Sequence, residues 1–274
     1  MKKLENFQIN LKVVSYSILF EVKLQKKKFI IFSIVSIIYF YLMNIVPYVF
    51  MPSGALRYPQ TGLYESQLTF FSLFLVLTTG FFFSGIICTE YKKKTGLTLL
   101  PLINKHNLII GKYIANFLLV IGIGAIQYFL MALSSFYFYA EPIPASLLLS
   151  FGYLALYILA LGSITTFLSS FMPSTGPVLV IIIALNLFGF SIIDSFVVPT
   201  NTEILYSLNY LYRIISEIIN PEFSTMEGYF EYIQNNITHR IWRFPSAEGA
   251  LIVLTLYAIV FFLLGYLLFK RRQL

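Results

Sequence analysis

Six stretches of this chain are apolar for about twenty residues or more, and none carries a lysine or arginine in its middle. They cover residues 29–51, 68–88, 114–139, 145–171, 177–199 and 247–269. A helix crossing the hydrocarbon layer of a bilayer needs roughly 20 such residues. Inside lipid a spanning element must also satisfy its own backbone hydrogen bonds, which leaves helices or closed barrels. Runs this long and continuously apolar predict an all-α integral membrane protein with six transmembrane helices. Only 11% of the 274 residues are charged, against about 25% in an ordinary soluble domain. No cleavable signal peptide is expected, because no small-residue cleavage site follows the first apolar run. The single Cys88 excludes an internal disulfide.

The basic residues predict the orientation. Lys2, Lys3, Lys12, Lys23, Lys26, Lys27 and Lys28 precede the first span. Lys92, Lys93, Lys94, Lys105 and Lys112 lie between the second and third, and Lys270, Arg271 and Arg272 follow the sixth. Together they make fifteen of the 19 lysines and arginines, all on one side. Arg57, Arg213, Arg240 and Arg243 fall on the other. The positive-inside rule then puts both termini, and the break after the second span, in the cytoplasm of a multi-pass cell-membrane protein. The net charge of +7 reads as anchoring charge facing membrane lipid, with no nucleic-acid partner implied.

The non-spanning pieces are few. Residues 1–28 form a cytoplasmic leader in which Leu4, Phe7, Leu11, Val14, Ile18 and Val22 recur at helical spacing. Asn10, Lys12, Ser17 and Glu21 lie largely off that stripe, so an amphipathic helix on the membrane surface is expected, forming an elbow before the transmembrane domain of residues 29–272. The external loop of residues 200–246 shows two capping boxes, at Thr200–Glu203 and Ser224–Glu227. Each precedes apolar residues at helical spacing, predicting two short external helices. Residues 52–67 read as a plain connection, and residues 140–144 as a tight turn.

Motifs of chemistry are absent. Asp194 is the only aspartate, which excludes an intramembrane aspartate pair. His106 and His239 fall on opposite sides, so they cannot share a metal. Gly111-Lys112 lacks the upstream glycine of a phosphate loop. The polar residues within spans are Asn44, Asn116, Gln127, Asn186 and Asp194. Asn116 and Gln127 suit hydrogen bonds between helices, and Gly122, Gly124, Gly152 and Gly162 suit close packing.

The break at residues 89–112 carries more than orientation. Lys92 to Lys94 serve the charge rule, but Leu97, Leu99, Leu100, Leu102 and Ile103 give a short non-membrane segment an apolar surface, bent by Gly96 and Pro101. Such a segment suits docking into a groove on a soluble subunit. Glu90, the pair Thr95-Gly96, Leu99-Leu100, Pro101 and Gly111-Lys112 together resemble the type-2 permease family of ATP-binding-cassette transporters, of the type V exporter architecture. The family usually has the small pair in the order Gly-Thr. The resemblance implies a permease subunit whose cytoplasmic coupling helix, about residues 91–106, docks on a separate nucleotide-binding ATPase. That subunit would bind ATP and Mg, leaving this chain with no cofactor and no catalytic residue of its own. It assigns docking to Glu90, Lys94, Gly96, Leu99, Leu100, Pro101 and Lys105. It further implies pairing with a second copy or a homologous permease, and export along a pathway lined by the second and fifth spans, where Phe74, Thr78, Phe82, Asn186, Phe190 and Asp194 fall. A non-transporting scaffold or sensor of the same fold and an unrecognised membrane enzyme are the competing readings.

Overall fold

The computed structural model describes residues 2–45, 60–93, 105–190, 192, 203–223, 225–226, 228–234 and 237–271. Helix α1 spans Lys2–Phe40 and runs into a π-turn at Tyr41–Ile45. Helix α2 is Gln60–Phe83, and a turn joins it to the short α3, Cys88–Lys93. Helices α4 (Lys105–Tyr139), α5 (Ser146–Phe171) and α6 (Thr175–Ala184) follow, the last passing into a second π-turn at Leu185–Gly189. Helix α7 (Leu208–Glu217), strands β1 (Tyr229–Gln234) and β2 (Ile237–Trp242), and helix α8 (Ala247–Arg271) complete the order.

Among the described residues, four segments are long and apolar enough to cross a membrane: Gln60–Glu90, His106–Tyr139, Ser146–Phe171 and Ala247–Arg271. The expected first and fifth spans are described only up to residues 45 and 192. The bundle has two ends. Gln60, Ser146, Ala247 and the strands mark the hairpin end. The basic end carries Glu90, Lys112 and Phe171, and the contact of His106 with Tyr266, ring centroids 5.1 Å apart, brings the last turns of α8 there as well. Between the ends, Leu68, Phe71 and Leu75 of α2, Val120 and Ile123 of α4, and Leu154, Ile158 and Leu161 of α5 form the buried core.

The leader is helical, but it is not a separate elbow ending at residue 28. No glycine or proline interrupts residues 2–40, and lysine is a good helix former, so the basic run continues the helix into the apolar segment. Helix α1 runs parallel to α4. A Cβ on Gly111 would stand 2.5 Å from Ser17, and one on Gly122 3.4 Å from the Phe29 ring. Further along, Gln127 Nε2 donates to the Ser36 carbonyl at 2.8 Å and to its hydroxyl at 2.6 Å. Gln127 thus joins two helices as its position suggested. Asn116 instead donates to Lys112 O of its own helix at 2.9 Å.

Two helices begin earlier than expected. Helix α2 starts at Gln60 and takes in part of the supposed plain connection, because Leu63, Tyr64 and Gln67 continue its buried stripe. Helix α4 starts at Lys105 and takes in the end of the 89–112 break. Among the expected small-residue contacts, Gly162 meets the Phe83 ring, 2.6 Å from a built Cβ, whereas Gly152 has no atom within 4 Å.

The second external helix is not formed. Residues 229–234 and 237–242 are an antiparallel hairpin with Tyr229 opposite Trp242 and Gln234 opposite Ile237. Its aromatic and β-branched content favours a pleated surface over a helix. Pairs across the strands also fix it: Glu231 accepts from Arg240 Nε at 2.8 Å, and Tyr229 meets Trp242 at 5.1 Å. The first external helix does form as α7, capped by Ser207, whose hydroxyl accepts from Tyr210 N. The proposed box at Thr200–Glu203 lies mostly outside the described residues.

Candidate functional site

Two places gather polar side chains that the apolar bundle must satisfy. The first is at the basic end. Lys112, in the second turn of α4, is bonded to Glu90 of α3, and its Nζ lies 3.9 Å from Glu21 Oε2 of α1. Gln25 holds the other Glu21 oxygen at 2.9 Å. All three charged residues are buried, at 6% (Glu21 and Glu90) and 8% (Lys112) exposure. A buried charge persists only when it is paired and hydrogen-bonded, so the three residues fix one another. Gly111 lets α1 come close enough for this, since Ser17 occupies the space of a side chain. Ser17 and Glu21 therefore form the buried face of α1 here, while Leu19 and Phe20 are exposed. The leader's expected stripe left Ser17 and Glu21 outside it, whereas its Val14, Ile18 and Val22 are half-buried beside them. The junction ties α1, the foot of the second span and the foot of the third at the root of the segment between residues 93 and 105.

The second place is a cavity of about 290 Å³. Thr69, Ser72 and Leu73 of α2 form one wall, and Tyr157 of α5 and Asn186 with Leu187 of the second π-turn form another. Helix α7 closes it with Asn209, Tyr212, Arg213 and Ser216. At 1.5 Å per residue, Thr69 lies about 14 Å from the Gln60 end of α2, and Tyr157 about 16 Å from the Ser146 end of α5. Asn186 lies about 16 Å from the opposite, basic end of α6. The cavity is therefore near mid-depth. Its mouth opens where Leu73 and Leu187 are 45% and 42% exposed.

Helix α7 reaches that depth by re-entering the bundle. Its far end is level with the hairpin end, where Ser146 Oγ donates to Ile219 O at 3.2 Å. One turn deeper Ser150 donates to Ile215 O. Deeper still the Tyr212 ring meets Tyr157 edge-on at 5.1 Å, and at the tip Asn209 donates to the Asn186 carbonyl. That carbonyl belongs to the second π-turn. At the hairpin end Glu217 is half-buried. Burial raises its pKa, and Arg243 and Arg213 pull it partly back.

The residues expected from sequence divide between these places. Glu90 is in the junction. Lys105 is the first residue of α4, and Lys94, Gly96, Leu99, Leu100 and Pro101 lie outside the described residues. Asn186 lines the cavity. Phe74 and Phe82 turn instead toward Phe32 of α1, with centroids at 6.2 and 5.7 Å, and Thr78 is buried with its hydroxyl on Phe74 O. Phe190 is half-buried against the core, and Asp194 lies outside the described residues. Sequence reasoning missed Glu21 and the cavity's Thr69, Ser72, Tyr157, Asn209 and Arg213. The signal for Glu21 was available: it is an acid two residues before the lysine run of residues 23–28.

The family model described as ABC-2 family transporter protein matches residues 2–274. The chain belongs to the ABC-2 transporter family. No curated protein matches the sequence. The match covers both the junction and the cavity, and with four apolar helices it makes the chain a multi-pass membrane protein. Members of the ABC-2 family are permeases that work with an ATP-binding subunit. In this ABC-2 chain the junction joins α1, α3 and the second turn of α4.

Proposed function

We propose that the chain is one permease half of an ATP-binding-cassette exporter. It has six spans, with the first and fifth completed by residues 46–51 and 193–199, and both termini lie in the cytoplasm of the cell membrane. Two copies, or this chain and a homologous permease, form the translocation pathway between their second and fifth spans. A separate subunit binds ATP and Mg and hydrolyses the nucleotide, so this chain itself is not an enzyme. Residues 91–106 act as the coupling helix, with Glu90, Lys94, Gly96, Leu99, Leu100, Pro101 and Lys105 at or beside the contact.

The observation that carries this reading is the buried junction of Glu21, Lys112 and Glu90. A loop that merely connects two spans needs no buried charges at its root. A loop that transmits force does need a stiff root, and this one is locked to three helices. Force applied to residues 91–106 would move the feet of the second and third spans, and α1, as a unit. The second and fifth spans would then part or close around the cavity at their mid-depth.

Co-expression with the ATPase encoded beside this gene tests the reading. The tagged permease should bring down the ATPase, and Leu99→Asp with Leu100→Asp should abolish that association while membrane insertion stays normal. Association unchanged by both substitutions would place docking elsewhere. No ATPase recovered with the intact chain would refute the exporter reading. An ATPase bound without transport in vesicles would favour a scaffold or sensor.

A further inference from the structure

The cavity at the tip of α7 offers more hydrogen-bond acceptors than donors. Thr69 donates its hydroxyl proton to Glu65 O at 2.8 Å, and Ser72 donates to Thr69 O at 2.7 Å. Ser216 donates to Arg213 O at 3.0 Å, and Tyr212 to Leu68 O at 2.8 Å. A hydroxyl has one proton and two lone pairs. These four have spent their protons on the backbone, so they offer lone pairs to anything beside them. Asn186 adds an acceptor: its amide nitrogen is on Tyr157 Oη at 3.3 Å, leaving Oδ1. The donors are fewer. Tyr157 keeps its own proton, Arg213 keeps the N–H groups beyond the one that Arg243 O accepts at 2.9 Å, and Asn209 brings an amide group whose nitrogen donates to Asn186 O.

That inventory discriminates among ligand classes. A phosphate or carboxylate brings only acceptors; Arg213 would pair with it, but five lone-pair groups would face its remaining oxygens. An ammonium group would meet the Arg213 guanidinium that lines the same space. A neutral group rich in hydroxyls brings donors for the lone pairs and acceptors for Tyr157 and Arg213. Leu73 and Leu187 supply apolar wall for the C–H face of such a group. At about 290 Å³ the cavity is at the lower edge of the roughly 300–1,000 Å³ typical of ligand sites, room for one ring or headgroup and not for a folded peptide.

We propose that this cavity binds an uncharged polyhydroxyl group, a sugar ring, either free or as the headgroup of an amphiphile. This names a cargo class for the pathway proposed above and rests on that reading for its role in export. The binding itself requires only this chain.

The test uses the purified full chain in lipid nanodiscs without glycosidic detergent. Saturation-transfer NMR is recorded with octyl β-glucoside, octyl phosphate and octyltrimethylammonium below their micelle concentrations, and separately with free glucose. The shared tail leaves the headgroup as the variable. Octyl glucoside should saturate well above the other two. A glucose signal would mark free sugar as sufficient, and its absence would mark the headgroup of an amphiphile. Thr69→Val, at the exposed mouth, should weaken glucoside binding roughly fivefold, the worth of one hydrogen bond. Arg213→Gln should admit octyltrimethylammonium. Asn186→Leu should abolish binding, and the two surface variants keep the test valid should that one fail to fold. Equal saturation by all three amphiphiles, a preference for phosphate, or binding indifferent to both Thr69→Val and Arg213→Gln would overturn the assignment. ATPase association is scored separately on the same preparations. Sugar binding without a bound ATPase would sink the exporter reading alone, and a bound ATPase without sugar binding would sink the cargo class alone.

Discussion

Replacing Lys112 by Met keeps the length of the side chain and removes a cation that sits between two buried carboxylates. Lys112 is bonded to Glu90, and its Nζ is 3.9 Å from Glu21. The side chains of Lys112 and Glu90 are 10% and 8% exposed, so solvent does little to replace the lost partner. Removing one member of a buried pair typically costs about 3–5 kcal/mol. For a protein of this size about 1 kcal/mol corresponds to some 2–4 °C, so a loss of roughly 6–20 °C in apparent Tm is expected. Heating detergent-solubilised protein and following the soluble monodisperse fraction by fluorescence-detected chromatography gives that number. Glu21→Gln should cost much less, because the direct bond to Glu90 survives. The triple variant Lys112→Met, Glu90→Leu, Glu21→Leu should recover most of the loss, since apolar replacement of a whole buried charge cluster is often neutral. A Lys112→Met protein that melts within about 1 °C of the parent would refute the claim that these charges lock the helices together.

Three further outcomes are expected. Gly111→Ala should destabilise by about 1–3 kcal/mol, the usual cost of overpacking, because its Cβ would sit 2.5 Å from Ser17; Ser17→Gly in the same chain should restore the melting temperature. Ala140 has φ 52°, and Ala140→Gly should raise stability by roughly 0.5–1 kcal/mol, the relief of left-handed strain less the added freedom of the unfolded chain, as read by the same melt. Glu217 has a raised pKa through burial, so the folded state holds its proton more tightly than the unfolded one. Stability from this group is complete below the ordinary glutamate range and is lost as pH rises through the raised value. Melting Glu217→Gln across that window should therefore show a flatter profile than the parent, and identical profiles would show that the group does not contribute.

What the sequence could convey follows from the distance over which each signal acts. Spans are local, and a run such as residues 146–171 announces its helix by length and apolarity. The ends are harder. Gln60 reads as loop, yet its amide donates to Ser135 Oγ at 2.8 Å, and only the packed neighbour makes it part of a helix. The continuity of α1 was legible in the absence of glycine and proline over residues 2–40, but the run of lysines suggested a boundary. Tyr229 to Ile233 fit helical spacing and strand alternation about equally well, and cross-strand pairing with Arg240 and Trp242 decided the outcome. The amphipathic pattern of α7 was visible. Its depth was not, because depth is set by Ser146, Ser150 and Asn186, which come from other parts of the chain. The junction joins residues 21, 90 and 112, and no periodicity connects such positions. Asn186 was reached through its rarity in an apolar span, whereas Thr69 and Ser72 look like unremarkable helix hydroxyls.

The central claim is that ATP turnover on a partner moves the second and fifth spans through the junction. Cys88 is the only cysteine, so Cys88→Ser with Leu187→Cys gives one spin label per copy at the mouth of the cavity. Pulsed electron resonance then measures the label-to-label distance in the reconstituted permease–ATPase complex. Adding ATP and Mg should shift that distance distribution, and the shift should vanish in Lys112→Met while the ATPase remains bound. A distribution unmoved by nucleotide, or one that moves equally without Lys112, would contradict the account.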